Sequence, residues 1–124
     1  MSRPTTLREA IDSADAILIG AGAGLSAADG DNHSSPVFDE RFADFRAERG
    51  ITDAYSGGFY PFPTSEERWA FWSRMISLLR YEAAPGQVYA DLLGLVRGRD
   101  YFVITTNVDH RFQNSGFDKE RLFY

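Results

Sequence analysis

The sequence predicts an α/β fold: a three-layer, Rossmann-like parallel sheet with flanking helices. Two short apolar runs, at residues 16–19 and 101–104, are typical of buried parallel strands. Helical patterns fill the chain between them, and each run is followed by a glycine-rich or polar loop. Strands that alternate with helices predict a parallel sheet, and ligands of such sheets bind beyond the carboxyl ends of the strands.

Length and composition predict one small domain over residues 1–124. The net charge is −5, and the only lysine is Lys119. No basic cluster is present, so we expect no nucleic-acid or membrane-surface partner. The absence of cysteine excludes a disulfide or a cysteine-based zinc site within these residues, and no metal site is predicted. Residues 1–15 are polar and no apolar run is long enough to span a bilayer, so we expect a cytoplasmic protein.

Capping residues and apolar spacing predict the helices. Thr5 or Thr6 begins a short helix through residue 10, and Thr64 begins a longer one, with a capping box to Glu67, that runs to about residue 80. A third helix is expected over residues 87–97, and residues 51–63 are expected to form a loop. The predicted buried positions of the second and third helices are Trp69, Trp72, Ile76, Leu79, Val88, Leu92, Leu95 and Val96.

One more helix is indicated by Phe38, Phe42 and Phe45, which recur on a single helical face. Gly50 is expected to end that helix. We expect the three phenylalanines to pack in the core.

The loop after the first strand carries glycine at alternate positions: Gly20, Gly22 and Gly24. Glycines there let the backbone approach a diphosphate, the amides of the following helix can point at the anion, and Ser26 adds a hydroxyl. The alternative is that the glycines only permit a tight turn. No Gly-Lys-Ser/Thr follows, and the G-x-G-x-x-G pattern fails, so neither a P-loop nor an ordinary dehydrogenase is indicated.

The loop after the second strand ends in Asn107 and Asp109, whose side chains are expected on the same side. Together they can hydrogen-bond a carboxamide and a ribose hydroxyl. The alternative is that Asp109 caps a helix over residues 108–114. His110 is expected at the surface, because adjacent residues such as Asp109 and His110 rarely face one another. His33 is expected there because it lies in a polar loop.

The two loops together resemble the sirtuin family. Residues 22–30 are similar to the sirtuin motif G-A-G-x-S-x-x-x-G, and residues 105–109 are similar to T-Q-N-x-D. The resemblance implies an enzyme that consumes NAD, with Asn107 and Asp109 as catalytic residues. The NAD-binding residues that it implies are Gly22, Ala23, Gly24, Ser26, Thr106, Asn107 and Asp109.

Several departures from the common pattern are similar to the macrodomain-linked sirtuins. Thr106 stands in place of Gln, residues 111–112 in place of Leu-His, and Asp44-Phe45-Arg46 follows the glycine loop only after an insertion. That subgroup implies transfer of ADP-ribose to a protein substrate, with a macrodomain protein as candidate partner. Its alternatives are NAD-dependent lysine deacylation and a non-catalytic module that binds NAD or ADP-ribose.

The resemblance also implies that the chain is the N-terminal half of a sirtuin-type domain. The catalytic base, His or Gln, would follow shortly after Tyr124, and the four zinc cysteines would lie further on. We therefore expect the isolated chain to be inactive.

Overall fold

The computed structural model describes residues 6–30 and 36–124. Its sheet has three parallel strands in the order β1 (Ile17–Ala21), β2 (Tyr101–Thr105) and β3 (Leu122–Phe123). In β1 and β2, Ile17 lies opposite Tyr101 and Ala21 lies opposite Thr105. The predicted α/β class with a Rossmann-like parallel sheet is confirmed.

One helix precedes β1, helices occupy most of the chain between β1 and β2, and one short helix follows β2. They are α1 (Leu7–Ser13), α2 (Ala23–Ala28), α3 (Pro36–Arg41), α4 (Ala43–Arg49), α5 (Ala54–Gly58), α6 (Ser65–Ile76), α7 (Gln87–Val96) and α8 (Arg111–Asn114). A π-helical turn, Ser77–Glu82, continues α6, and a 3₁₀ turn, Lys119–Arg121, precedes β3. Within the described ranges, no helix combines the length and apolarity that crossing a membrane requires.

The first hydrophobic cluster joins one face of the sheet to α7 and α8. Its buried members are Tyr89, Leu93, Val96, Tyr101, Val103, Phe112, Phe117 and Leu122. The opposite face of the sheet exposes Leu18, Phe102, Ile104 and Phe123. The expectation that residues 16–19 and 101–104 form buried strands is therefore wrong for Leu18, which is 67% exposed, and for Phe102 and Ile104, which are 40% and 45% exposed. The helices of the first cluster pack on the other face, so Leu18 has no such cover.

The second hydrophobic cluster lies among α3 to α6 and is mainly aromatic. Its buried members are Phe38, Phe42, Phe45, Ile51, Ala54 and Phe71. The prediction that the three phenylalanines pack in the core is confirmed, but they do not share one helix. Phe42 leaves helical geometry (φ −121°, ψ 24°) and separates α3 from α4. Gly50 ends α4 in the left-handed conformation, at φ 67°.

The helix starts at Thr6 and Thr64 are confirmed. The Thr6 hydroxyl accepts a hydrogen bond from the Glu9 amide, and α1 runs further than expected, to Ser13. The Thr64 hydroxyl accepts from the Glu67 amide at 3.2 Å. The Glu67 carboxylate does not complete the box, because it pairs with the Arg49 guanidinium.

The predicted buried faces of α6 and α7 are rotated relative to those observed. In α6, Phe71 is fully buried whereas Trp69 is 63% exposed. In α7, Tyr89 and Leu93 are buried whereas Leu95 is 46% exposed. Both helices carry apolar residues on more than one side, so the spacing alone does not fix which side meets the core.

Residues 51–63 are not wholly a loop, because α5 lies within them. The Asp53 carboxylate caps α5 by accepting a hydrogen bond from the Ser56 amide at 2.8 Å. A glycine must lie at position 57, since an added Cβ would come within 2.2 Å of the Phe71 ring. This helix therefore packs directly on the second cluster.

Candidate functional site

The carboxyl ends of β1 and β2 are joined by hydrogen bonds. The Thr106 amide donates to the Ala21 carbonyl at 3.3 Å. The Asn107 side-chain amide donates to the Gly22 carbonyl at 2.9 Å. A Cβ on Gly22 would lie 3.7 Å from the Thr106 hydroxyl, an ordinary contact distance. The glycine loop and the loop that follows β2 are therefore parts of one site.

Ser26 lies one turn from the start of α2 and is buried between Tyr89 of α7 and Asp109 of the loop that follows β2. Its hydroxyl donates to Asp109 Oδ2 at 2.5 Å and lies 2.8 Å from the Tyr89 hydroxyl. A hydroxyl has one proton, so the Tyr89 phenol must donate to Ser26 when Ser26 donates to Asp109. Burial raises the pKa of the Tyr89 phenol, which keeps that donor protonated.

Asn107 and Asp109 both reach Ser26. The Asn107 Nδ2 group lies 3.4 Å from the Ser26 hydroxyl, and its backbone amide donates to the Thr105 hydroxyl at 3.0 Å. The helix considered above begins later than expected, at Arg111, and His110 stands at its N-cap. Asp109 still contacts its start, because its Oδ1 atom accepts from the Arg111 amide at 3.2 Å. One carboxylate thus serves both a helix start and the contact with Ser26.

A buried ion pair supports this arrangement and was missed in the sequence. Arg111 Nη1 lies 3.0 Å from Asp29 Oδ2, and the two side chains are 5% and 1% exposed. Arg111 Nε lies 3.6 Å from Asp109 Oδ2. The charges of these three residues sum to one negative charge, and the Arg80 guanidinium lines the same pocket as Asp109.

Asp29 also caps a helix to which it does not belong. Its carboxylate accepts hydrogen bonds from the amides of Gly86, at 2.6 Å, and Val88, at 2.9 Å, at the start of α7. A Cβ on Gly86 would lie 2.7 Å from Asp29 Oδ1, so glycine permits this approach. The available signal was a helix preceded by Pro85-Gly86, with no capping side chain of its own.

A pocket of about 400 Å³ opens beside these residues, between the two hydrophobic clusters. One wall comes from the loops: Ala23, Ser26, Thr106, Asn107, Val108 and Asp109. The facing wall comes from α6 and the π-helical turn: Trp72, Met75, Ile76, Leu79 and Arg80. The volume lies near the lower end of the range for small-molecule sites, so the pocket can enclose part of a dinucleotide.

The space around Gly24 bears on whether the glycine loop can hold a diphosphate. Its φ lies outside the left-handed region, and an added Cβ would meet no atom within 4 Å. Neither the backbone nor the packing of the described residues therefore requires glycine at this position. The open space fits the close approach of a ligand to the backbone, which is the property that the loop was predicted to have.

His110 is half-buried, so the prediction of a surface position is wrong. It adopts φ 58°, and Arg80 Nη2 lies 2.6 Å from its Nε2 atom. Its ring packs edge-on against Tyr124, with centroids 5.5 Å apart. Burial, followed by the charge of Arg80, lowers the pKa of His110 from its ordinary value of 6.5. His33 lies outside the described residues.

Asp44-Phe45-Arg46 lies in α4, and none of the three lines the pocket. Asp44 forms a two-bond ion pair with Arg74, at 2.7 and 3.0 Å. Phe45 belongs to the second cluster, and Arg46 pairs with Asp39. All three residues thus have structural contacts within the helical part of the chain.

Comparison with known proteins finds two relatives with related names. A "Protein ADP-ribosyltransferase" of Staphylococcus aureus is 42% identical over 118 residues, which cover 95% of this chain and 38% of that protein. A "Probable bifunctional ADP-ribose hydrolase/ADP-ribosyltransferase" of Fusarium oxysporum f. sp. cubense is 40% identical over 120 residues, which cover 93% of this chain and 20% of that protein. No family model matches the chain. By these coverages, the chain spans well under half the length of either relative.

Proposed function

We propose that this chain is the NAD-binding part of an ADP-ribosyltransferase of the sirtuin type, which transfers ADP-ribose from NAD to a protein side chain. The main support is the meeting of the glycine loop, Ser26, Asn107 and Asp109 at the carboxyl ends of β1 and β2. The names of the two relatives give independent support for ADP-ribose transfer. The sirtuin type rests on the resemblance of the two loops.

In this proposal the glycine loop holds the diphosphate. The first amides of a helix have no partner within the helix. The Leu25 amide donates to the Gly22 carbonyl at 3.1 Å, so the proposal assigns the phosphate oxygens to the Ala23 and Gly24 amides. The absence of a side chain at Gly22 and Gly24 leaves the backbone open to the anion. The Asn107 side chain fixes this loop through the Gly22 carbonyl.

The nicotinamide riboside half of NAD lies in the pocket beside Asn107 and Asp109. When the bond from the anomeric carbon to the pyridine nitrogen breaks, its electron pair goes to nicotinamide and positive charge develops on the sugar. The Asp109 carboxylate, which lines the pocket, favours that charge. The nucleophile of the target protein then bonds to the anomeric carbon and gives up its proton to a base.

Ser26 acts through Asp109 in this scheme. Its hydroxyl proton is directed to the Asp109 carboxylate, and Tyr89 donates to its oxygen. Ser26 therefore orients the carboxylate, while Thr106 and Ala23 contribute pocket surface.

Replacement of Asn107 tests the proposed function. In the full-length protein, we expect Asn107→Ala to lower NAD turnover at least tenfold, because the change removes both a pocket amide and the bond to Gly22. Nicotinamide release is the measurement. Asn114→Ala, at the exposed end of α8, is the matched control and should retain turnover. Normal turnover by Asn107→Ala would refute the assignment.

Nicotinamide release and ADP-ribose labelling of a protein, measured together, separate the alternatives. NAD-dependent deacylation would release nicotinamide only with an acylated peptide, whereas ADP-ribosylation would label a protein with the ADP-ribose part of NAD. A non-catalytic module would bind NAD or ADP-ribose and release no nicotinamide. A macrodomain protein stays the candidate partner, on the resemblance to the macrodomain-linked sirtuins alone.

A further inference from the structure

Arg80 connects the π-helical turn to the loop that carries Asp109. Its Nη1 atom donates to the Val108 carbonyl at 3.2 Å, and its Nη2 atom lies 2.6 Å from His110 Nε2. Val108 and His110 are the two chain neighbours of Asp109. One side chain from the opposite wall of the pocket therefore holds both sides of the proposed catalytic carboxylate.

The contact with Arg80 defines the protonation state of His110. A guanidinium has five N–H donors and no acceptor, and it stays charged at ordinary pH. Arg80 Nη2 lies 2.6 Å from His110 Nε2 and 3.4 Å from Nδ1, so the shorter contact makes Nε2 the acceptor. That assignment requires a neutral ring whose proton is on Nδ1. The other charged groups facing this ring are Asp109 and Lys119, and Tyr124 packs on it.

The backbone at His110 needs such support. A φ of 58° is unfavourable for a residue with a side chain and persists only where contacts hold it. This left-handed residue turns the chain from the Thr106–Asp109 loop into α8. Loss of the Arg80 contact would let the turn relax and would move Asp109 relative to Ser26.

We infer that Arg80 is a positioning residue, which holds the Asp109 carboxylate within reach of Ser26 only while His110 is neutral. This inference rests on the proposed function for its effect on activity, but the contact itself can be tested separately. Protonated His110 would offer no acceptor to Arg80 and would place two cations in contact. Acid should therefore release the loop.

The first experiment follows the His110 ring by nitrogen NMR. The chain has two histidines, so a His33→Gln protein gives a single imidazole signal. We expect the neutral ring to carry its proton on Nδ1, and Arg80→Met to raise the pKa of His110. A proton on Nε2, or an unchanged pKa in Arg80→Met, would overturn the inference whatever the protein does to NAD.

The second experiment measures kcat at saturating NAD in the full-length protein. We expect Arg80→Met to lower kcat at least tenfold and Arg80→Lys to recover part of the loss, since an ammonium can donate to one of the two acceptors. The acid limb of the wild-type pH profile should coincide with the His110 titration, and both should shift together in Arg80→Lys. Arg68→Met, at an exposed position on α6, is the matched control and should keep wild-type kcat.

Two results decide the matter. Wild-type kcat in a folded Arg80→Met protein would refute the positioning role, while loss of activity in Asn107→Ala would leave the proposed function intact. If Arg80→Met does not fold, two other measurements decide: the His110 tautomer in the wild type, and the pH profile and His110 titration in Arg80→Lys. A proton on Nδ1 together with a joint shift supports the inference. A proton on Nε2, or a pH profile and titration that do not shift together, overturns it.

Discussion

The buried Ser26 hydroxyl has three polar contacts: Tyr89 at 2.8 Å, Asp109 at 2.5 Å and Asn107 at 3.4 Å. Its single proton and its lone pairs are all used, so the directions of these hydrogen bonds are fixed. Buried polar groups of this kind stabilise one arrangement only when every partner is present. The Ser26 site therefore depends on residues that sequence inspection does not place near it, above all Tyr89.

Arg111 should be far more important for stability than a surface arginine. We expect Arg111→Met to lower the free energy of unfolding by about 3–5 kcal/mol, because it leaves the Asp29 and Asp109 carboxylates buried without their shared cation. Urea unfolding followed by tryptophan fluorescence measures this. Arg121→Met removes an exposed pair with Asp100 and should cost much less. Equal losses in the two variants would contradict the interpretation.

Gly24→Ala separates ligand binding from folding. The new Cβ meets nothing within 4 Å, and alanine favours a helix, so we expect equal or higher stability. We expect NAD affinity to fall at least tenfold, because the Cβ occupies the approach to the diphosphate. Calorimetric titration with NAD is the measurement. Gly94→Ala has the same freedom in α7, away from the pocket, and serves as control. Unchanged NAD affinity in Gly24→Ala would remove the proposed diphosphate contact.

Single residues of the site were only partly predictable. The alternate positions of Asn107 and Asp109 after a strand predict that both face the same region, and both do contact Ser26. The bond from Asp29 to α7 and Arg111 could not be predicted, because it joins residues far apart in sequence through tertiary packing.

Among the elements, starts and ends were easier to predict than faces. The cap at Thr64 and the stop at Gly50 depend on local chemistry, and both are confirmed. The faces of α6 and α7 depend on what packs against them. Trp69, predicted to be buried, is therefore exposed, and Phe71, outside the predicted face, is fully buried. The break at Phe42 has a similar cause, since its ring packs between Phe38, at 4.4 Å, and Phe71, at 5.0 Å.

The cap of α5 offers a test at this scale. We expect Asp53→Ala to lower the free energy of unfolding by about 1 kcal/mol at neutral pH, because the Ser56 amide loses its acceptor. Hydrogen bonds from Ser56 lower the pKa of Asp53 below its ordinary value of 3.8. A lowered carboxyl pKa means that the stabilisation is complete above 3.8 and is lost as the pH falls through the folded-state pKa.

Urea unfolding at several pH values checks this expectation. The difference between wild type and Asp53→Ala should shrink below pH 3.8. Asp15→Ala removes an exposed carboxylate from the segment before β1 and is the matched control. A deficit that stays constant into acid would show that the carboxylate charge has no part in capping α5.

For the whole molecule, the fold class followed from the order of elements. Two apolar runs with helices between them require a parallel pairing, and β1 and β2 pair in that way. The position of the helical part containing α3 to α6 was not predictable, because its second cluster is formed by contacts among aromatic rings. The pocket between the two clusters could therefore be predicted only on its loop side.

The pairing of β1 with β2 also has a kinetic consequence. Residues 22–100 lie between the two strands, and closing a chain of that length costs roughly 4 kcal/mol of entropy before any long-range contact forms. Folding is then slowed by high contact order. Since Asn107 meets Gly22 only after closure, the binding site and the native sheet form in the same event. Any ligand that bridges the two loops therefore shifts the equilibrium between the native and unfolded ensembles of the whole domain, by mass action.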